Sequence, residues 1–373
     1  MKIGIIATHS FPIPYPNLHT GDVVILNMAK ALELLGHTVT MYAPEYTDFH
    51  NLKIMKASFG KYPPSSQECE LECYYNNIDN LYNQDIIHDF SVTKQITKTM
   101  NENGFKNTCC TLMGGAWTQD WEPNNLIVWS KSHRDRVLRG ATDYEGTPTP
   151  NLAGAAGKPV NKVDFVYGGV DTNFYTPADG SKDHLLWMGR WHPVRGYHLA
   201  IELAKYINTY SNTKVVIAGE HPDNEMFEYQ KKCALEAERL AKNVPNVELV
   251  WLPKDPDHHI VKRELYRNAK AFLYTVQFQE PFGLSQVESM ACGTPVIGTN
   301  FGSVPEVVEH GKTGFVINNN LNQFDTACRY IHKISREECR KRAVNNFDCK
   351  NMAQSYLEKY RSIINGNKDG SKI

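Results

Sequence analysis

The residues most able to do chemistry are gathered in one string, Glu280-Pro-Phe-Gly-Leu-Ser-Gln-Val-Glu288-Ser-Met-Ala-Cys-Gly-Thr-Pro-Val-Ile-Gly. Glu280 follows the apolar run Ala271–Tyr274 and so stands in a loop after a strand. Gly283 lets the backbone pass close to a ligand, and Leu284 opens a helix. The first amide N–H groups of a helix have no partner inside it, and together with the helix dipole they attract anions. Glu288 lies about two helical turns further on and can face the same way. A loop carboxylate, a free helix N-terminus and a second carboxylate fit a ligand with hydroxyls at both ends and phosphate between. The plainer reading, in which Glu280 is a loop acid, Glu288 a solvated helix residue and Gly283 a turn, suits either glutamate alone better than it suits the whole string.

The elements that must position this string are short apolar runs alternating with longer periodic segments. Ile3–Ala7, Val23–Leu35 and Thr38–Ala43 make a first strand–helix–strand unit, with Gly36 placed to end the helix. A second series has strands at Leu185–Met188, Val215–Ala218, Val247–Trp251, Ala271–Tyr274, Pro295–Gly298 and Gly314–Ile317. Its helices fall at Tyr197–Tyr210, Phe227–Lys242, Ile260–Asn268 and Leu284–Ala291. Such alternation means parallel sheets covered on both faces, and two series mean two doubly wound α/β domains. Pro177 and Gly180 interrupt any regular element and put the boundary within Asp171–Asp183, so the domains are expected at 1–175 and 176–350. Residues 140–162, rich in Gly, Ala, Pro and Thr, read as a surface loop, Met352–Ile364 as an amphipathic helix and Asn365–Ile373 as a polar tail. In open sheets of this kind ligands bind outside the carboxyl ends of the strands, and two such domains facing one another would put a central cleft there.

The glutamate string resembles the E-x7-E signature of retaining nucleotide-sugar glycosyltransferases with the GT-B fold, those of glycosyltransferase family 4 (glycosyl transferases group 1). Gly302-Ser-Val-Pro-Glu-Val-Val-Glu-His-Gly311-Lys-Thr-Gly314-Phe is similar to the family's continuation. Trp187-Met-Gly-Arg190-Trp-His-Pro-Val-Arg195-Gly196 and Val216-Ile-Ala-Gly219-Glu resemble its strand–glycine–arginine stretch and the next strand turn. Pro12–Pro16, His19-Thr-Gly21-Asp22 and Val166-Tyr-Gly-Gly169-Val-Asp171-Thr-Asn-Phe174 are similar to its opening unit and to the stretch before its interdomain linker. The likeness covers residues 1–43 and 164–317 and leaves 50–160 poorly matched.

The resemblance implies a GT-B fold of two Rossmann-like domains, an acceptor side at 1–175 with the helix 352–364 packing back on it, and a donor-binding domain at 176–350. It implies retaining transfer of a hexose from a UDP- or GDP-linked sugar to an acceptor hydroxyl of a saccharide or glycan. Arg190 and Arg195 would grip the diphosphate, Glu280 the sugar hydroxyls and Glu288 the ribose. The backbone of Phe282, Gly283 and Leu284, and Gly21 from the first loop, would approach the phosphates and sugar. No cofactor and no metal are expected, because the cations and the helix terminus would stabilise the leaving diphosphate. The sequence departs from the family in three places. Arg195 stands where lysine is usual, Val276-Gln277 where Pro-Ser is common, and Cys109-Cys-Thr-Leu-Met-Gly114-Gly115 lacks the histidine that often follows an N-domain strand. His88 and Asp89, at a strand end, are the nearest replacement. Two alternatives stay open: a non-catalytic sugar-nucleotide-binding partner protein, and a sugar-nucleotide epimerase of the same fold.

Composition narrows the classes further. The 373 residues carry 40 basic and 41 acidic side chains, divided as net −4 over residues 1–150 and net +3 beyond. Neither part is basic enough for nucleic acid, and the first disfavours an acceptor held on anionic lipid. No apolar run is long enough to cross a membrane, and the nine cysteines without zinc-type spacing suit reduced thiols in a cytoplasmic protein. Cys69-x3-Cys73 reads as free thiols, and His258-His259 as a polar loop rather than a metal site, since adjacent side chains diverge. Trp117, Trp121 and Trp129 suit an acceptor surface or a core, and Ser130 is placed to cap a helix.

Overall fold

Most of the central strands are largely buried and mainly apolar runs such as His184–Met188, the pattern of parallel sheets with helices on both faces. The computed structural model describes residues 1–7, 20–44, 53–57, 66–148, 157–180, 182–222, 227–253 and 257–369. They form two units, one of residues 1–142, 155–169 and 348–373, the other of 143–154 and 170–347.

In the first unit β1 (Lys2–Ile6) leads to α1 (Thr20–Leu34), β2 (Thr38–Pro44) and β3 (Lys53–Ala57). Then come α2 (Ser66–Asn76), α3 (Ile78–Tyr82), β4 (Ile86–Asp89), α4 (Gln95–Glu102), β5 (Thr108–Leu112), β6 (Leu126–Val128), α5 (Lys131–Arg139) and β7 (Val163–Phe165). The seven strands pair in parallel in the order β3-β2-β1-β4-β5-β6-β7. Gly36 has the left-handed φ of 83° that ends α1. The Ser130 side chain caps α5 by accepting from the His133 amide at 3.0 Å.

The second unit holds β8 (His184–Met188), α6 (Tyr197–Asn208), β9 (Lys214–Glu220), α7 (Glu228–Ala241), β10 (Val247–Leu252), α8 (His258–Asn268) and β11 (Ala269–Tyr274). It continues with α9 (Leu284–Ala291), β12 (Val296–Thr299), α10 (Val304–Val307), β13 (Gly314–Ile317), α11 (Leu321–Tyr330) and α12 (Arg336–Phe347). Its six strands are also parallel, in the order β10-β9-β8-β11-β12-β13. The order reverses between β8 and β11, and the crevice outside their carboxyl ends is where a doubly wound sheet takes a ligand.

Several expectations are corrected. Residues 170–175 pack with the second unit, where the Val170 amide bonds the Phe347 carbonyl at 2.9 Å and the Tyr175 ring meets Tyr266. The final helix, α13 (Cys349–Asp369), runs through most of the stretch read as a tail and belongs to the first unit. Within the stretch read as a surface loop, the described residues 143–148 pack with the second unit. His258 and His259 begin α8 rather than sit in a loop, with their rings 5.4 Å apart. Trp117, with Trp121 against it, joins the apolar core around β5 and β6, and Trp129 is buried. Cys69 and Cys73, by contrast, are free thiols as expected, buried on α2.

Candidate functional site

Gly189 and Arg190 follow β8 directly, and a single tight turn, Pro193–Arg195, then carries the second arginine. That turn is fastened to the end of β11. The Thr275 hydroxyl donates to the carbonyls of Arg195 and Gly196 at 3.1 and 2.9 Å, and the Gln277 amide donates to Val194 at 2.7 Å. The Trp187 indole adds a bond to the Arg195 carbonyl at 3.0 Å. Gly196 has a φ of 76°, and a methyl there would stand 2.0 Å from the Thr275 oxygen, so only glycine permits the approach.

The fastening brings Arg195 onto the loop after β11. Its Nη1 donates to Glu280 Oε2 at 2.7 Å, and its guanidinium lies 4.7 Å from the centre of the Phe278 ring. Tyr274 donates its hydroxyl to the same carboxylate oxygen. Glu280 is 5% exposed, while the Arg195 side chain keeps 23% and Arg190 is exposed. Burial works to lower the pKa of Arg195, but the Glu280 charge and hydrogen bond, with Tyr274 and Tyr144, together offset it, and Arg195 is held above the usual arginine value. Protein atoms around Arg190, and then the Arg195 charge, pull its pKa down. Two arginines and one partly neutralised carboxylate leave net positive charge at the sheet edge.

Gly283 caps α9 with a φ of 78° and contributes no side chain, so the helix's first N–H groups receive no side-chain cap. A methyl at this position would stand 2.6 Å from the Tyr274 hydroxyl. The neighbouring loop closes on the same backbone: Ser303 donates its amide to Glu280 at 2.9 Å and its hydroxyl to the Phe282 carbonyl at 2.8 Å. Phe282 and Leu284 are themselves buried, and Gly283 between them brings no side chain.

Glu288 is not the solvated helix residue of the plainer reading. At 3% exposed it takes Lys262 Nζ at 3.0 Å and the Tyr266 hydroxyl at 3.1 Å, both on its Oε2. Burial alone would raise its pKa, but Lys262 first, then His259 and Tyr266, together offset this and keep the carboxyl below its usual value. His259 stands in the same network, 3.2 Å from the Tyr175 hydroxyl, with burial and then Lys262 pushing its pKa down to about 4. Sequence reasoning missed Tyr274, Phe278, Lys262 and Tyr266. The last two lie four residues apart in α8, a spacing that puts both on one helix face.

The structure gives the remaining candidates other places. Gly21 lies in the first turn of α1, whereas Pro12–Pro16 and His19 fall outside the described residues. His88 is 0% exposed, with Nδ1 2.6 Å from the Tyr360 hydroxyl and Nε2 2.7 Å from Thr111 Oγ1. Asp89, equally buried, accepts from the Ser91 amide and hydroxyl and from Thr97 at 2.8, 2.6 and 2.7 Å. Neither side chain is left to meet a ligand. The residues after β5 are served by a further buried histidine, His133, whose Nε2 lies 2.8 Å from the Gly115 carbonyl.

Comparison with known proteins bears on the family and the fold. Residues 173–347 match the family described as glycosyl transferases group 1. The chain is 23% identical to N-acetyl-alpha-D-glucosaminyl L-malate synthase of Bacillus anthracis across 99% of each chain. It is 29% identical to spore coat protein SA of Bacillus subtilis, matching 54% of this chain and only 59% of that protein. Among solved structures, sucrose-phosphate synthase of Thermosynechococcus elongatus has a TM-score of 0.74 at 15% identity, covering 98% of this chain and 99% of that one. Anabaena HepE, solved in complex with UDP and glucose, has a TM-score of 0.67 at 15% identity over 97% of this chain and 100% of that one. The second unit thus carries the sequence pattern of group 1 glycosyl transferases, and the fold is GT-B.

Proposed function

We propose that the chain is a retaining, metal-independent hexosyltransferase that takes its sugar from a nucleoside-diphosphate donor bound at the β8–β11 crevice. The observation that carries this is the clustering of Arg190, the Arg195–Glu280 pair and the uncapped N-terminus of α9 at one sheet edge, inside the segment that matches glycosyl transferases group 1. Breaking a glycosyl–phosphate bond leaves growing negative charge on the diphosphate. Arg190 and the first N–H groups of α9 are the groups free to meet it, fixed in place before the reaction begins. Arg195 joins them while staying paired to Glu280. The Glu280 carboxylate accepts from sugar hydroxyls through the oxygen that Arg195 and Tyr274 leave open. Glu288, kept ionised by Lys262, offers its small exposed edge to ribose hydroxyls. A saccharide or glycan hydroxyl is the acceptor in this reading. The solved complex of HepE with UDP and glucose supports a uridine donor.

The test is a screen of UDP- and GDP-sugars by thermal shift and by release or transfer of sugar, run with and without chelator, with proton NMR of the product anomer. The expected result is a shift with one nucleotide, turnover unchanged in chelator, and retention at the anomeric carbon. Turnover that stops in chelator would overturn metal independence, and inversion would overturn retention. A shift without transfer to any acceptor would favour a sugar-nucleotide-binding protein. No shift with any nucleotide would remove the donor site itself.

A further inference from the structure

Residues 143–147 come from the first half of the sequence yet pack with the second unit. The Thr147 hydroxyl closes them into a turn by donating to the Tyr144 carbonyl at 2.8 Å. Gln279, the residue before Glu280, pins that turn. Its amide donates to the Asp143 carbonyl at 2.6 Å and its Nε2 to the Glu145 carbonyl at 2.9 Å. Its Oε1 meanwhile accepts from the Gly302 amide at 2.8 Å, so one glutamine ties the turn to the loop that closes on Glu280. These bonds set the Tyr144 ring 6.3 Å from the Phe278 ring, centre to centre, with 37° between their planes. Arg195 lies on that same Phe278 ring. Burial and Asp143 raise the pKa of the Tyr144 phenol while the charges of Arg195 and Arg190 pull against them, which marks the phenol as a neighbour of both arginines.

We propose that Tyr144 is a positioning residue of the donor site, acting through Phe278 to hold the Arg195 guanidinium in line with Glu280. The proposal rests on the donor-site reading above and adds to it a residue from outside the matched segment, which spans 173–347. A single ion pair leaves an arginine free to swing about its side-chain bonds, whereas an aromatic ring under the guanidinium fixes its plane. Phe278 can do this only if it is itself held, and the pinned turn places a second ring against it.

The test is calorimetric titration of UDP, and of GDP, into the whole chain and four variants, with melting temperatures measured alongside. Tyr144→Ala is expected to weaken nucleotide affinity roughly tenfold at an unchanged melting temperature, and Tyr144→Phe to retain it, because the ring and not the hydroxyl does the holding. Tyr144→Leu keeps apolar volume without a ring and is expected to match the alanine variant even if the latter melts early. Wild-type affinity in both Tyr144→Ala and Tyr144→Leu would overturn the proposal. Equal losses in Tyr144→Phe and Tyr144→Ala would overturn it too, by showing that the hydroxyl itself is needed. Arg190→Ala separates the two levels: if it abolishes binding while the Tyr144 variants do nothing, the donor site stands and only this inference falls. A wild type that binds neither nucleotide takes both down.

Discussion

At the strand ends beside its order reversal, each unit carries charged groups, but the two use them differently. In the first unit β4 ends in His88 and Asp89, and both are fully enclosed. His88 spends its ring nitrogens on Tyr360 and Thr111, and Asp89 accepts three hydrogen bonds with Lys94 3.9 Å away. Lys94 is itself buried in the left-handed region at φ 59°, held there by bonds from its ammonium to the Asp89 and Thr111 carbonyls at 2.9 and 3.0 Å. In the second unit the strand ends carry Arg190, Arg195 and Glu280, which keep an exposed arginine and an open carboxylate oxygen. One fold and one topological position thus give a polar core in one unit and a binding edge in the other. The difference lies in how many local partners close over the charge.

The comparison is sharpest where removal should cost chemistry alone. Arg190→Ala is expected to lower kcat/KM about a hundredfold or more with little change in melting temperature, since the side chain is exposed. Steady-state kinetics on the donor found by the screen would check this, and near wild-type turnover would break the assignment. In the other unit His88→Ala is expected to cost about 2–4 kcal/mol of stability through an orphaned Tyr360–Thr111 pair and a cavity. Its kcat at saturating donor, below the melting temperature, should stay within a factor of about two. A folded His88→Ala chain without activity would return that histidine to the reaction.

Between these extremes stands Glu288. Lys262→Met leaves its carboxylate buried without a counter-charge and is expected to cost about 3 kcal/mol in a denaturant melt. The double change Lys262→Met with Glu288→Gln should recover part of that, which an additive result would contradict.

The most gradual effect is with pH. A histidine whose pKa falls from 6.5 to about 4 on folding adds stability that is full above pH 6.5 and is lost as pH drops toward 4. His259 should therefore contribute at most about 3 kcal/mol that vanishes over that window, with His88, also pushed below its usual value, acting in the same sense. Glu288, held below its usual value, adds a further loss only below pH 4.5. A melting temperature flat between pH 7 and 4 would contradict this, and His259→Gln should flatten part of the slope.

Legibility in the sequence followed the kind of force holding each element. The strands of the second unit and α9 were legible to within a residue or two, because continuous apolar runs and a glycine before a periodic segment are local signals. The helix α12 was not legible. It is largely polar and is held by arginines that reach carbonyls elsewhere, Arg340 to Tyr175 and Ala291, and Arg342 to Val307 and Glu306. Such bonds leave no periodic mark. The same reason hid α2, whose Glu70 accepts from two amides, those of Thr93 and Gln95, far along the chain.

For the candidate site, the sequence by itself named the charged groups and the glycine hinge, since residue type and spacing carry that information. Arg190, Arg195, Glu280, Gly283 and Glu288 all lie in the unit where they were expected. Only the tertiary structure decided which of them face outward. Contacts between residues far apart in sequence set that: Thr275 drawing Arg195 onto Glu280, Lys262 closing over Glu288, Tyr360 covering His88, and Gln279 bringing Tyr144 to Phe278. Exposure is a property of the assembled surface, and a charge becomes a binding group or a core group according to what packs across it.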